Sequence, residues 1–456
     1  VKSWTPEQVA AAAGARLIAS SSGAERGPDR AVIDSRQAGP GALFVGLPGA
    51  QVDGSRFAAQ ALQAGAWGVL VSDEHAVDAA SGGPGDNGMI LACGEPLRAL
   101  QRLATAWRRQ LGAQVIGITG STGKTSTKDL TRALIAPHLA TRASRANFNT
   151  EIGLPLEILS APEGTEVLVL EMGMRGPGQI AELARIAEPD VAVIVSIGPV
   201  HLELLGSVAA IAAAKAELIT GLKPGGTAIT PAGEALLEAH IRRDVANVTF
   251  GEGGDVTLVA ADGPQLTIDA QGVELRLEIE LPQAHLRRNL LAAAAAALAV
   301  GVTPDGPILA ELSPGRGERF ALPGGTTVID DSYNANPMSM QAAIEELARV
   351  ARESGAARPV AILGDMLELG PDERSFHREL GTQASAAGIE ILITVGPLAA
   401  EAAAGFEGEA HSVADAGEAA ALAPELVAPG DAVLVKGSRG VGLEAVVEAL
   451  RTSVAA

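Results

Sequence analysis

Short runs of β-branched and aliphatic residues, each closed by glycine or a charged residue and followed by a stretch of helical period, recur along most of this chain. The sharpest is VIGITG at 115–120, where Val115, Ile116 and Ile118 predict a buried strand that stops at Gly120, with helix-compatible residues over 124–134. EVLVLEM (166–172), VAVIVSIG (191–198) and TAIT (227–230) repeat the pattern. Strands alternating with helices predict a parallel sheet covered on both faces, with ligands gathered at the carboxyl ends of its strands. The stretch 256–281 predicts further short strands, and after it Asn289 is expected to start a close-packed helix whose apolar part, LLAAAAAALAV (290–300), is too short to span a bilayer.

The same alternation returns in TTVIDDSYNANP (326–337), VAILGDMLELG (360–370), ILITVG (391–396) and AVLVKGSRGVG (432–442), with polar strand ends at Asp330, Asp331, Asp365 and Lys436. Near the N-terminus, TPEQVAAAAGA predicts a short helix. The runs AVI, ALFVGL and GVLV predict strands, residues 55–64 a helix stopped by Gly65, SGGPGDNG (81–88) a loop and 96–111 a helix leading into the next unit. The chain is therefore α/β with expected domains at 1–93, 94–313 and 314–456, joined at the last boundary by a Pro/Gly hinge, SPGRGERF (313–320). A length of 456 residues, at roughly 150 residues per domain, agrees with three.

Charge narrows the partners. With 34 basic against 54 acidic residues the net charge is −20, which repels nucleic acid and anionic membrane overall, so a phosphate-bearing ligand must be met by local cations. One cysteine, Cys93, allows neither an internal disulfide nor a cysteine metal site and fits a reducing, cytoplasmic setting. The opening VKSWTPEQVAAAAGARL has no basic segment followed by a long apolar one, so neither a signal peptide nor membrane insertion is expected.

The candidate chemistry sits at strand ends. Gly120, Ser121, Thr122 and Gly123 form a strand-to-helix turn in which glycines leave main-chain N–H groups free to converge on phosphate oxygens at the positive end of a helix. Lys124 adds a point charge, and the hydroxyls of Thr125 and Ser126 follow it. The spacing is G-x-x-G-K-T, shorter than the usual G-x-x-x-x-G-K-[ST], because Ile118 stands where the first glycine belongs. Glu171 closes the next strand and is a candidate oxygen ligand for Mg²⁺ beside Thr125. Read alone, His201 is a satisfied polar side chain and Lys215 a solvated helix charge; Asp34, Ser35 and Arg36 after one strand, and Asp53 and Gly54 at a helix start, suit either a ligand or a surface turn.

Taken together, TGSTGKTSTK, NFNTEIGLPL, EMGMRGPGQI, GPVHLELLGS, AKAE, HLRRN, GRGE, DDSYNANP and GDMLELG resemble the Mur ligase family of ATP-dependent peptidoglycan precursor synthetases, from Asp34 to about Gly442. The shortened loop is that family's own form. The resemblance implies a small N-terminal UDP-substrate-binding domain, a central parallel-sheet P-loop ATPase domain and a C-terminal Rossmann-like α/β domain. It implies ATP and two Mg²⁺ ions, held by Thr125, Glu171, His201 and Lys215, the last as a carbamate formed with CO₂. Asn289, Arg316, Asp331, Asn334 and Asn336 would meet the nucleotide with residues 120–126, and Ser35, Arg36, Asp53 and Gly54 the UDP end of the substrate. The implied partners are a UDP-N-acetylmuramoyl-tripeptide and D-alanyl-D-alanine, the expected state a monomer. Three substrates on three domains imply closure of Arg316 and Asp331 onto ATP, hence an open form without ligands. A folylpolyglutamate synthetase-like ligase is the alternative within enzymes, and a non-catalytic nucleotide-gated binding module the alternative outside them.

Overall fold

The computed structural model describes residues 1–19, 26–81, 88–145 and 147–453; the loop expected at 81–88 falls, but for its end residues, outside them. Three sheets carry the architecture. The first has the order Arg16–Ala19, Met89–Cys93, Gly68–Ser72, Ala42–Val45, Arg30–Val32, parallel except for its antiparallel first strand. The third runs Glu318–Ala321, Thr327–Asp331, Ala432–Lys436, Pro359–Gly364, Ile391–Val395, Glu409–Val413, again parallel except at Glu318–Ala321.

The second sheet has ten strands. Its central order, Thr227–Pro231, Val191–Ile194, Gln114–Thr119, Val167–Glu171, Thr141–Ala143, is parallel. The parallel pairing expected of the four strands between 115 and 230 holds, and beyond Val256–Asp262 the short strands Gln265–Ala270 and Val273–Glu278 join antiparallel. The reason is local: a parallel return needs a crossover of a dozen residues, whereas Gln271 (φ +56°) and Gly272 (φ +84°) make a two-residue hairpin turn with both centres left-handed.

Period-two side-chain alternation fixes both faces of this sheet. Val115, Leu168, Leu170 and Ile194 point to one core, while Ile116, Ile118, Val167, Val169 and Val193 point to the other, under the helices Lys124–Ile135 and Ala284–Ala299. The first core continues into the N-terminal sheet through Leu43, Val45 and Leu70 and is bridged by the helix Pro96–Leu111. Trp107 on that helix is 1% exposed, donates its indole N–H to Ala161 O at 2.9 Å and meets Trp4 edge-on at 5.4 Å between centroids. Trp107→Ala is expected to cost about 3–5 kcal/mol, read as an earlier first transition in urea.

Two boundaries shift from those expected. The alanine-rich helix begins at Ala284, so Asn289 lies buried inside it rather than at its start. The segment 313–320 is not all hinge: Glu318–Ala321 is a strand, and Ser313 is pinned by its N–H and hydroxyl to Asp129 Oδ2 at 2.9 and 2.8 Å, which leaves only the short Pro/Gly stretch between them as connection. No described helix is long and apolar enough to cross a membrane.

Candidate functional site

Strand register brings the first groups together. Ile118 pairs with Glu171 on one side and Val193 on the other, so the turn after Thr119, the Glu171 carboxyl and the loop after Ile194 emerge side by side at the carboxyl edge of the sheet. Gly123, at φ +79°, caps the helix Lys124–Ile135 with no side-chain acceptor, which leaves the first-turn N–H groups available to a ligand. A Cβ there would come within 2.8 Å of Asn289 Oδ1 and 2.9 Å of Val195 Cγ1, so only glycine fits. The cradle is narrower than the sequence suggested, because Ser121 N–H donates to Ser196 O at 2.9 Å and Thr122 N–H to Ser196 Oγ at 2.8 Å. Ser196, a brace the motif did not reveal, thus takes up two of the loop's amides.

Lys124 folds back over the turn and donates to Gly120 O at 2.8 Å. Burial lowers its pKa, Glu171 opposes that, and the Arg316 cation adds to it. The Thr125 hydroxyl donates to Glu171 Oε2 at 2.9 Å, and Asn149 Nδ2 donates to Glu171 Oε1 at 2.8 Å. Ser144 Oγ in turn accepts Glu171 N–H at 3.1 Å. Asn149 therefore belongs to the site as the side chain that orients Glu171, a role its place in NFNTEIG could have suggested. Ser126 is buried in the helix's first turn.

Lys215 sits in the helix Val208–Thr220 at 2% exposure, with no carboxylate in ion-pair range among the described residues. Burial, and then the like charge of Lys124, hold its pKa well below the usual lysine range. A solvated surface lysine is therefore not what the fold makes of it. His201, half-buried, also has a lowered pKa: burial is the main cause, the cations of Lys124 and Lys215 add to it, and Glu368 opposes it. Lys124, Lys215 and His201 thus occupy one electrostatic neighbourhood.

The third domain lies against the second. A Cβ on Gly198 would fall 1.8 Å from Met338 Sδ, and His201 Nδ1 meets Glu368 Oε2 at 2.5 Å. The Arg316 guanidinium stacks 4.0 Å from the Tyr333 ring centroid, with its Nε buried and unpartnered. Asp331 is held by Lys436 Nζ at 2.6 Å, which also donates to Asn334 O at 2.8 Å. Pairing of Asp331 with Lys436 across parallel strands puts both at one sheet edge. The Asn334 side chain is exposed. Asn336 differs: its Oδ1 accepts Ser339 N–H at 3.0 Å in a capping box, so its side-chain oxygen is already committed to the helix Pro337–Ser354.

Ser35, Arg36, Asp53 and Gly54 form a separate cluster at the carboxyl edge of the first sheet. Asp34 caps Ser35–Gln37 and pairs with Arg36 at 2.7 Å, while Asp53 caps Gly54–Phe57. Ser35 Oγ reaches Gln60 Oε1 at 3.4 Å on the helix Ala58–Gln63, which ties the two turns together. Gly54 is required, since a Cβ would lie 2.7 Å from Leu47 O. His75, which the sequence did not single out, stands 3.9 Å from Asp53 Oδ2.

Among the described residues, no group of three or more His, Cys, Asp or Glu is arranged to hold a metal ion. The buried Thr125 hydroxyl and Glu171 carboxylate are nonetheless the hard oxygen pair that suits Mg²⁺, which keeps several waters and needs few protein ligands.

Comparison with known proteins agrees over nearly the whole chain. Family models match in chain order: the Mur ligase family catalytic domain at 31–108, the Mur ligase middle domain at 118–297 and the Mur ligase glutamate ligase domain at 315–439. UDP-N-acetylmuramoyl-tripeptide–D-alanyl-D-alanine ligase of Bacillus subtilis is 37% identical over 430 residues, covering 91% of this chain and 92% of the relative. Its Escherichia coli counterpart is 32% identical over 444 residues, covering 94% and 95%. The crystal structure of MurF from Acinetobacter baumannii superposes with a TM-score of 0.83 at 28% identity, covering 98% of this chain and 99% of that one. The MurF ligase of Thermotoga maritima in complex with ADP gives 0.80 at 30%, covering 93% and 98%.

Proposed function

The chain belongs to the Mur ligase family, and from that premise we propose how its own groups perform an ATP-dependent amide synthesis. It is a ligase that joins D-alanyl-D-alanine to a UDP-N-acetylmuramoyl-tripeptide in peptidoglycan precursor synthesis. The central sheet acts as a P-loop ATPase domain, the first sheet as the UDP-substrate domain and the third as a Rossmann-like partner, divided near 93 and 313. Cytoplasmic residence and a monomeric state accompany this reading.

In the proposed reaction a carboxylate oxygen at the end of the tripeptide attacks the γ-phosphorus while the bond to the ADP oxygen breaks, giving an acyl phosphate. The free amine of the dipeptide then attacks the acyl carbon, phosphate leaves and the amine loses a proton. The first step crowds negative charge, and the chain meets it with fixed groups: the first-turn N–H donors behind Gly123, the ammonium of Lys124 and the guanidinium of Arg316. Asn289 lies against Gly123 beside the turn, and Asp331, fixed by Lys436, faces the nucleotide with Asn334. Asn336 serves there through its backbone and its cap. Ser35, Arg36, Asp53 and Gly54 hold the UDP end, where Arg36, at 84% side-chain exposure, offers its guanidinium to a diphosphate.

Two magnesium ions, one held by Thr125 and Glu171 and one by His201 and Lys215, would neutralise phosphate oxygens and act as Lewis acids when bound. A lysine becomes an oxygen ligand only as a carbamate, and a neutral amine adds to CO₂ with loss of one proton. The lowered pKa of Lys215 supplies that neutral amine, and the nearby Lys124 ammonium, which disfavours a second cation, favours the anion so formed.

The observation that carries this reading is the buried Thr125–Glu171 contact at the foot of the glycine turn, with Lys124 folded across it. Phosphate release over a small matrix of UDP-peptides, amine dipeptides and a folate acceptor tests it. Turnover is expected only with UDP-tripeptide and D-alanyl-D-alanine together. Turnover with the folate, or ATP binding without amide formation from any amine, would overturn it in favour of the two alternatives.

A further inference from the structure

Only four non-glycine residues among those described have positive φ, and two of them touch each other across a domain boundary: His201 at +54° and Glu368 at +63°. A side chain held in the left-handed region costs energy that the surroundings must offset, and such outliers gather where geometry is functional. Here both strained residues aim their side chains at one contact, His201 Nδ1 to Glu368 Oε2 at 2.5 Å. Glu368 lies in DMLELG, after the third-domain strand Pro359–Gly364; His201 lies after the central strand Val191–Ile194.

The contact is built rather than incidental. Arg175, on the loop that follows Glu171, approaches the other oxygen of the same carboxylate, its Nε 3.7 Å from Glu368 Oε1. Two residues on, Gly370 (φ +72°) passes so close to the central domain that a Cβ would lie 3.2 Å from the backbone N and Cα of Glu203. One third-domain carboxylate therefore spans two central-domain loops, one leading from Glu171 and one containing His201.

We propose that Glu368 is a positioning residue for His201. Its carboxylate accepts the Nδ1–H, which fixes the ring's orientation and tautomer and leaves the Nε2 lone pair free to act as a ligand. An ionised carboxylate can only accept, so the proton on this bond belongs to imidazole Nδ1. Carboxylates that hold a histidine in this way raise its strength as a ligand. Because the carboxylate comes from the third domain, docking of that domain completes the geometry of a ligand on the second, and closure and metal affinity become one equilibrium.

The inference rests on His201 being a metal ligand, and the experiment separates the two claims. Mn²⁺ binding, followed by electron paramagnetic resonance with a non-hydrolysable ATP analogue, is compared among the wild type, His201→Ala, Glu368→Ala, Glu368→Gln and the double alanine variant. Glu368→Ala is expected to weaken one class of Mn²⁺ site on the order of 10- to 100-fold, Glu368→Gln less, and the double variant no more than His201→Ala alone. In the metal-free protein, long-range ¹H–¹⁵N spectra are expected to show His201 as the Nδ1–H tautomer, with that preference lost in Glu368→Ala. If His201→Ala weakens Mn²⁺ binding while Glu368→Ala leaves both affinity and tautomer unchanged, the positioning role is wrong. If His201→Ala leaves Mn²⁺ binding intact, the ligand assignment itself falls, and the positioning role with it.

Discussion

Replacing Lys215 by methionine is expected to raise the melting temperature in CO₂-free buffer and to abolish amide formation. Lys215 is 2% exposed in a helix otherwise packed with alanine, leucine and isoleucine, and burial with the Lys124 charge depresses its pKa well below 10.5. In the window from about 10.5 down to that lowered value the unfolded chain holds a proton that the folded chain does not. The unfolded state therefore binds more protons there, stability falls as pH falls through the window, and the loss persists below it. Methionine has similar length and no charge, so the variant escapes that loss. A Tm that rises less in the variant at pH 10 than at pH 7 would carry the signature of this linkage. Turnover is expected to drop by a factor on the order of 10³ or more, because an anionic group is removed from the site of charge transfer. Lys215→Ala, which leaves room behind, is expected to regain part of its activity with formate or acetate. Full activity of either variant without added carboxylate would exclude Lys215 from the site.

Glu171→Gln is expected to lower turnover on the order of 10²- to 10³-fold and to shift the Mg²⁺ titration to higher concentration. Glu171 accepts on both oxygens, from Thr125 Oγ1 at 2.9 Å and Asn149 Nδ2 at 2.8 Å. A glutamine must turn its own N–H₂ toward one of these donors, so it loses a buried hydrogen bond as well as the negative charge. With the carboxyl end of its strand pinned by Ser144, the side chain has little freedom to relax. An unchanged Mg²⁺ titration would reject the assignment.

Much of the fold was legible. The helices Pro96–Leu111 and Lys124–Ile135, and the strands Gln114–Thr119, Val167–Glu171, Thr327–Asp331 and Ala432–Lys436, stand where strong apolar runs put them. The strands' signal is burial on both faces, which writes an uninterrupted apolar string, and the helices' signal is their period. Three missed strands were of weaker pattern, Thr141–Ala143 and Glu409–Val413 at sheet edges and Ala246–Phe250 with only its last residue buried; Met89–Cys93, apolar and buried throughout, directly follows the segment that reads as loop. Edge strands keep one face or one side in solvent, so their sequences carry polar residues that resemble turns.

That the glycine turn, Lys124, Thr125 and Glu171 would lie together could be read from the chain alone, because these residues are adjacent in sequence or stand at strand ends whose order the pattern fixes. Local spacing could not decide what Lys215 is: the same helix position is a solvated charge or a neutral amine according to what packs on it, and desolvation is a property of neighbours distant in sequence. Nor could it decide that Ser196 would occupy two loop amides, that Asn336 would spend its oxygen on a helix cap, or that Glu368 would reach His201 over 167 positions. Periodicity and turn chemistry act over a few residues and so are written in the sequence. Hydrogen-bond partners, burial and electrostatic neighbours are set only when the sheets are laid together.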